Sequence, residues 1–250
     1  MKRKRPMDMT APRSSLLEAA LKYRRVELSP IPCRARSKFP DQEALRLSRS
    51  LNFLGHPSWM AFGGRLASDE ALKTWFESGT RSLGIATGYR DLLVLDFDSQ
   101  AGYKEWSRRY ERVASHTGIQ RTPQGFHVFL RWQNVHTTRH AVNNDFCLDG
   151  TPGTRVGQIK GASDYVIAWP SFHPDGSQYR WLPGQAPWET KLVRIESLDQ
   201  IGVVPVRKPL WRYLAFLAVL LARPRERVPQ LARWIKNKYG KLTGAFFKYG

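Results

Sequence analysis

The segment Leu92–Ser99 reads Leu-Leu-Val-Leu-Asp-Phe-Asp-Ser and constrains the fold more than any other part of the chain. Four consecutive apolar residues are typical of a buried strand. The two carboxylates that follow, Asp96 and Asp98, share a face because alternate side chains of a strand point the same way. Such a pair suits Mg²⁺ or Mn²⁺, which leave coordination positions open for water and phosphates. The alternative is an aspartate pair that caps the next helix.

The chain is strongly basic. Its 250 residues include 40 Lys and Arg against 21 Asp and Glu, which gives a formal charge of +19. An excess of this size attracts polyanions, so we expect nucleic-acid binding that weakens as salt rises. A generically basic surface is the alternative. Hydrophobic residues make up 42% of the chain, which is enough for a substantial core.

Cysteine content and hydropathy bear on the cellular location and on membrane and zinc binding. Cys33 and Cys147 are too few for a disulfide framework, so a reduced, cytoplasmic location is expected. The longest apolar run, residues 214–222, is too short for a membrane span, and no membrane partner is expected. His136, His140 and Cys147 are irregularly spaced, and we interpret them as polar loop residues rather than as zinc ligands.

The order of helical and extended patterns predicts an α+β fold in three parts. Residues 1–12 form a basic, flexible leader, residues 13–190 a folded domain, and residues 191–250 a linker and a basic, aromatic helical tail. The short apolar segments 83–86 and 92–98 are predicted to form a hairpin. Further helices are predicted at 16–23, 41–51, 69–78 and 100–114, and further strands at 126–132, 155–160, 165–168 and 178–182.

The tail interleaves basic and aromatic residues. This combination is typical of surfaces that bind single-stranded nucleic acid, where aromatics stack on bases and cations contact phosphates. The alternative is a helical hairpin with its aromatics in a core and its charges in solvent. The candidate nucleic-acid-binding residues are Arg223, Arg225, Arg227, Arg233, Trp234 and Lys236.

Three motifs follow one another along the folded domain. They are Asp96-Phe-Asp98, then Thr122-Pro-Gln-Gly-Phe-His127, and then Gln158-Ile-Lys160-Gly followed by Tyr165-Val-Ile-Ala-Trp-Pro-Ser171. This ordered set resembles the archaeo-eukaryotic primase superfamily, and most closely its primase-polymerase (prim-pol) branch. Upstream, Gly84-Ile-Ala-Thr-Gly88 and Lys38-Phe-Pro40 are also similar to family segments, so the resemblance covers about residues 14–185.

The resemblance implies a fold and a set of site residues. The fold would be an RRM-like mixed or antiparallel sheet with an N-terminal α/β unit and a C-terminal helical extension, so that residues 13–190 form the catalytic domain. Asp96 and Asp98 would hold Mg²⁺ or Mn²⁺, and His127 would act with them in catalysis. The nucleotide-binding residues would be Thr122, Gln124, Gly125, His127, Lys160 and Ser171.

Two positions depart from the family pattern. Gln158 stands where an acidic residue is usual, so it is a doubtful third metal ligand without charge. Three outcomes are open: Asp149 or Asp164 substitutes for the missing acid, one metal suffices, or the protein binds nucleotides and polymerises poorly. Gly125 stands where many relatives have Ser, and that role would pass to Gln124 or to a backbone N–H.

The activity implied is template-directed nucleotidyl transfer, by a DNA primase, a DNA polymerase or both. The substrates would be NTPs or dNTPs, the template and primer single-stranded DNA, and the by-product pyrophosphate. A helicase or other replication proteins are candidate partners. Two other classes stay open: a non-catalytic replication factor that binds single-stranded nucleic acid, and a metal-dependent nuclease.

Overall fold

A computed structural model describes residues 13–77, 81–136, 144–151 and 153–206, with side chains from Leu16 onward. The predicted leader and the tail with its candidate nucleic-acid-binding residues lie outside this part of the chain. Among the described residues, no helix has the length and apolar character needed to cross a membrane. The helices are α1 (Arg13–Arg25), α2 (Gln42–Leu47), α3 (Asp69–Glu77), α4 (Gln100–Arg109) and α5 (Glu111–Ala114).

The strands confirm the predicted α+β class. They alternate irregularly with the helices and with short 3₁₀ turns, one of which is Tyr89–Asp91. In chain order the strands are β1 (Ser29–Arg34), β2 (Arg81–Ala86), β3 (Leu92–Phe97), β4 (Gly118–Arg121), β5 (Phe126–Trp132), β6 (Asp145–Leu148), β7 (Gly157–Lys160), β8 (Tyr165–Ala168), β9 (Arg180–Trp181), β10 (Arg194–Ile195) and β11 (Val203–Val206).

Two sheets organise these strands. The smaller one is antiparallel, in the order β1-β2-β8. The larger one has the order β11-β6-β7-β3-β5-β4-β9, with β10 running parallel to the end of β5. β3 lies near the middle of the larger sheet and pairs antiparallel with both β5 and β7. β10 and β11 extend this sheet beyond residue 190, where the sequence suggested a linker.

The predicted hairpin between residues 83–86 and 92–98 is wrong. β2 belongs to the smaller sheet and β3 to the larger one. Between them the chain makes a 3₁₀ turn, in which Arg90 and Asp91 both have positive φ. Both strands are buried, so their backbone N–H and C=O groups need neighbouring strands on both edges. The strands that pair with them are distant in the sequence. The sequence pattern of two apolar segments around a glycine turn does not show which strands these segments pair with.

The two faces of β3 pack into different hydrophobic cores, which explains its unbroken apolar run. Leu92 and Val94 belong to a core shared with α1, α3 and the smaller sheet. Leu93, Leu95 and Phe97 belong to a second core, in which Trp106 of α4 is fully buried. Burying a large apolar side chain contributes about 1.5–3 kcal/mol, so β3 is firmly held from both sides. By alternation, Asp96 extends the face that carries Leu92 and Val94.

Two predicted helices are shorter than expected or divided. α2 ends at Leu47, since Arg49 adopts positive φ and the Ser50 amide turns back to Leu45. The helical pattern at residues 100–114 is split at Tyr110, whose backbone leaves helical geometry between α4 and α5.

Candidate active site

A row of polar residues crosses the larger sheet on one face. Asp96 of β3 lies opposite His127 of β5 on one side and Gln158 of β7 on the other. The row continues to Gln120 of β4 beyond His127, and to Asp145 of β6 beyond Gln158. Neighbouring strands are about 4.8 Å apart, so strand pairing places these side chains within reach of one another. Gln120 and Asp145 were not identified from the sequence, because no motif signals which residues lie opposite each other.

The row opens into a cavity of about 310 Å³ between the two sheets. The larger sheet and its loops supply most of the polar lining, and Tyr165, Val166 and Ile167 of β8 supply a wall from the smaller sheet. The structure thus brings together most of the site residues proposed from the sequence. Those that line the cavity are Asp96, Asp98, Thr122, Gln124, His127, Gln158 and Lys160.

Asp96 is ionised more readily than an ordinary aspartate. Its Oδ1 lies 3.3 Å from Nε2 of His127. Burial raises the pKa of Asp96, but His127 and the ammonium groups of Lys160 and Lys38 more than offset this, so the pKa lies below its usual value. A carboxylate in this setting stays negatively charged and can accept hydrogen bonds or ligate a cation.

Asp98 is not the cap of the following helix. The N-cap of α4 is Ser99, whose Oγ accepts a hydrogen bond from the Gly102 amide at 3.1 Å. Asp98 instead accepts from Arg155 Nη1 at 2.6 Å, and Arg155 Nε lies 3.0 Å from Asp145 Oδ1. Burial raises the pKa of Asp98 above its ordinary value, although Arg155 opposes the shift. The helix-cap alternative is therefore wrong for Asp98, and its carboxylate belongs to the cavity.

Gln158 is engaged through both ends of its amide. Lys160 Nζ donates to Gln158 Oε1 at 2.8 Å, and Gln158 Nε2 donates to Asp145 Oδ1 at 3.4 Å. Lys160 also lies 3.5 Å from Asp164, whose pKa burial raises above its usual value despite that cation. The amide oxygen that would ligate a metal thus accepts from Lys160 instead.

The structure separates the carboxylates considered as substitutes for the missing acid. Asp164 lines the cavity. Asp149 pairs with Arg109 and accepts from the Tyr110 hydroxyl, beside α4. The carboxylate that lies directly opposite Gln158 in the strand register is Asp145.

The turn before β5 is shaped by Gly125. Its amide donates to Thr122 Oγ1 at 2.9 Å, so that N–H is used within the turn. A Cβ at this position would lie 1.9 Å from the carbonyl oxygen of Phe97. Glycine is thus required because the turn lies against the end of β3. Thr122 and Gln124 extend from the same turn to the cavity.

The model of the Prim-Pol family, described as bifunctional DNA primase/polymerase, N-terminal, matches residues 20–200. The chain belongs to this family. A search of curated proteins finds no similar sequence. Membership of the Prim-Pol family indicates DNA primase or polymerase activity in general, with DNA and nucleotides as substrates.

Ser171 has a structural setting in this Prim-Pol domain. It is buried, and its Oγ accepts from the Leu83 amide at 2.7 Å and donates to the Leu83 carbonyl at 3.1 Å. The hydroxyl therefore joins the segment after β8 to β2. Both of its contacts satisfy buried backbone groups, which would otherwise be costly.

The donor set of the Prim-Pol domain fits a hard divalent cation. Asp96 and Asp98 present two carboxylates to the cavity, and Mg²⁺ usually takes one or two carboxylates and completes its shell with water and phosphates. Among the described residues, no group of three or more His, Cys, Asp or Glu is arranged to hold a metal by itself. Of the residues considered for zinc, His136 donates from Nε2 to the Gly88 carbonyl at 2.9 Å, Cys147 is buried, and His140 lies outside the described part.

Proposed function

We propose that this Prim-Pol domain joins nucleoside triphosphates on a single-stranded DNA template, with Mg²⁺ or Mn²⁺ held by Asp96 and Asp98. The observation that carries the proposal is the cavity itself. It is lined by two carboxylates, Asp96 of β3 and Asp98 directly after that strand, together with His127 of β5 and Lys160 of β7. Carboxylates alone would suit many metal sites, but the ammonium groups of Lys38 and Lys160 in the same lining suit a triphosphate as well.

The reaction needs stabilisation of charge on the attacking and leaving oxygens. A bound divalent cation would supply most of it, by neutralising charge on the triphosphate and on the attacking 3′-oxygen. The chain's own groups would orient the substrate. Lys160 and Lys38 attract the phosphates into the cavity, and the His127 imidazole offers a hydrogen-bonding nitrogen beside Asp96. The low pKa of Asp96 keeps that carboxylate charged for the cation.

The neutral amide at Gln158 favours a second candidate, a replication factor that binds nucleotides or single strands without efficient synthesis. Its oxygen accepts from Lys160, and the carboxylate opposite it, Asp145, is paired with Arg155. Gln158 carries no charge, and the described residues that line the cavity do not include Asp145, so neither residue presents a third carboxylate to the metal site. Replacing Gln158→Asp separates the candidates, because a large gain in rate means that the missing carboxylate limits a real polymerase.

The decisive experiment measures incorporation of labelled dNTP or NTP on a circular single-stranded template, with and without primer, in Mg²⁺ or Mn²⁺. We expect synthesis by the wild-type protein and none by the double variant Asp96→Ala with Asp98→Ala. Asp199→Ala, at an exposed residue that does not line the cavity, serves as the control and is expected to retain activity. Full activity of the double variant would refute the proposal.

The same assay distinguishes the other classes. Wild-type protein that binds the template and extends no primer under either metal indicates the binding factor. Shortening of a labelled oligonucleotide without triphosphates indicates a nuclease.

A further inference from the structure

Gln120 lies directly behind His127 and is completely buried. Its side chain connects β4 of the larger sheet to the β8 region of the smaller one. Oε1 accepts a hydrogen bond from the Trp169 amide at 2.8 Å, and Nε2 donates to the Ile167 carbonyl at 3.0 Å. A backbone N–H can only donate and a backbone C=O can only accept, so these two partners determine which end of the amide is oxygen and which is nitrogen.

The orientation of the Gln120 amide determines which ring nitrogen of His127 accepts a hydrogen bond. Gln120 Nε2 lies 3.0 Å from Nδ1 of His127, and an amide nitrogen donates hydrogen bonds but does not accept them. Nδ1 must therefore accept. An imidazole whose Nδ1 accepts carries its proton on Nε2. In this structure Nε2 is the nitrogen that faces Asp96 Oδ1, at 3.3 Å.

We propose that Gln120 is a positioning residue that locks His127 in the Nε2–H tautomer. In this tautomer His127 directs an N–H toward Asp96 and toward the cavity. The other tautomer would direct a lone pair at the carboxylate, and would repel a phosphate oxygen entering beside it. The part of the inference that concerns phosphate rests on the proposed function, whereas the tautomer itself follows from the hydrogen bonds of Gln120 alone.

Two polar groups face the ring: Gln120 donates to Nδ1 from the buried side, and Asp96 accepts from Nε2 on the cavity side, so both contacts favour the Nε2–H tautomer. His127 is 5% exposed, so solvent contributes little to its hydrogen bonding. Tyr179 stacks on the ring with centroids 5.9 Å apart, and Phe129 contacts it edge-on at 6.4 Å. These aromatic contacts hold the plane of the ring but do not choose which nitrogen carries the proton.

The direct test is nuclear magnetic resonance of protein labelled with ¹⁵N-histidine, free of metal and nucleotide. Long-range proton–nitrogen correlations show which ring nitrogen is protonated, and the His127 signal is identified among the 6 histidines by its loss in His127→Ala. We expect Nε2 to be protonated and Nδ1 to be bare in the wild-type protein. A wild-type spectrum with a protonated Nδ1 would overturn the proposal.

Two variants test the role of Gln120. In Gln120→Glu the carboxylate still accepts from the Trp169 amide, but its second oxygen faces Nδ1, so we expect Nδ1 to become protonated. Gln120→Met keeps the size of the side chain without the donor, so only Asp96 still favours Nε2–H, and we expect part of the population to carry a proton on Nδ1. Gln178→Glu is the matched control: its half-buried amide bonds to the Pro170 carbonyl, and its change is expected to leave the His127 signals unaltered. An unchanged tautomer in both Gln120 variants would refute the lock.

The consequence for substrate is measured separately, as binding of a triphosphate by folded wild-type and variant proteins. We expect Gln120→Glu to weaken triphosphate binding at least tenfold and Gln178→Glu to leave it unchanged. A merely structural role for Gln120 would lower stability without changing the imidazole spectrum, and that result counts against the proposal. Wild-type protein with the expected spectrum but no affinity for triphosphate would refute the proposed function and still support the lock.

Discussion

The substitution Gly157→Ala tests how closely β7 packs against the strand that carries the aspartates. Gly157 lies opposite Phe97 in the register of β3 and β7. A Cβ added there would lie 2.2 Å from the carbonyl oxygen of Asp96 and 2.8 Å from Cε1 of Phe146. The nearest obstacle is backbone in the middle of a sheet, which cannot rotate away as a flexible side chain can.

The size of the effect follows from these distances. Ordinary contact with a Cβ begins at 3.4 Å, so β3 and β7 must separate locally by 3.4 − 2.2 = 1.2 Å. Overpacking of this kind costs about 1–3 kcal/mol, and weakening a ladder hydrogen bond costs about 1 kcal/mol more. The free energy of unfolding should therefore fall by about 2–4 kcal/mol. At about 2–4 °C per kcal/mol for a domain of this size, Tm should drop by about 4–16 °C.

Thermal unfolding followed by circular dichroism measures the effect, with Gly64→Ala as the control. Gly64 has negative φ, and its added Cβ would meet only the Ala61 carbonyl at 3.8 Å, which is ordinary contact. Below its Tm, Gly157→Ala should also lose about 100-fold in incorporation rate, because displacing Asp96 by about 1 Å misplaces the site. A Tm equal to that of Gly64→Ala would show that the strands are not in such close contact.

Two further predictions concern residues of the proposed nucleotide site. Lys160→Met should raise KM for the triphosphate about 10-fold or more in steady-state incorporation, because a charge-assisted hydrogen bond is worth about 1.5–3 kcal/mol. The control is Lys104→Met, which changes an exposed lysine. If the two variants have equal KM values, Lys160 does not contact the phosphates. Ser171→Ala should lower the free energy of unfolding by about 1–3 kcal/mol in urea, because the Leu83 backbone loses both partners, and should leave triphosphate affinity unchanged. A loss of affinity without a loss of stability would return Ser171 to the nucleotide-binding set.

Local sequence patterns predicted many elements of the described fold. The apolar run at residues 92–95 predicted a buried strand, and all four residues are buried in β3. Helical periodicity predicted a helix at residues 69–78 and another starting at residue 100, and α3 and α4 occupy these positions. The hairpin failed because periodicity reports that a segment is a strand but not which strand it pairs with. The division of the strands into two sheets depends on pairing between segments that are distant in the sequence.

The candidate site was predicted to the extent that its residues fall in motifs. Asp96, Asp98, His127 and Lys160 were recognised through their ordered spacing, and they line one cavity. Gly125 was predicted as a nucleotide-binding residue, whereas in the structure its missing Cβ makes room for the Phe97 carbonyl. A motif can show that a position requires glycine, but only the fold shows which neighbouring atoms impose that requirement.

The sequence by itself determined the α+β class, the Asp-x-Asp pair at a strand end and the strongly basic character, because these depend on residue type and short-range periodicity. Only the tertiary structure decided that Ser99 rather than Asp98 caps α4, that Lys160 occupies the Gln158 oxygen, and that Gln120 lies behind His127. The reason is physical. Strand register places Gln120 opposite His127 and Gln158 opposite Asp96, and the fold brings Arg155 to the Asp98 carboxylate, and no local sequence pattern encodes these pairings.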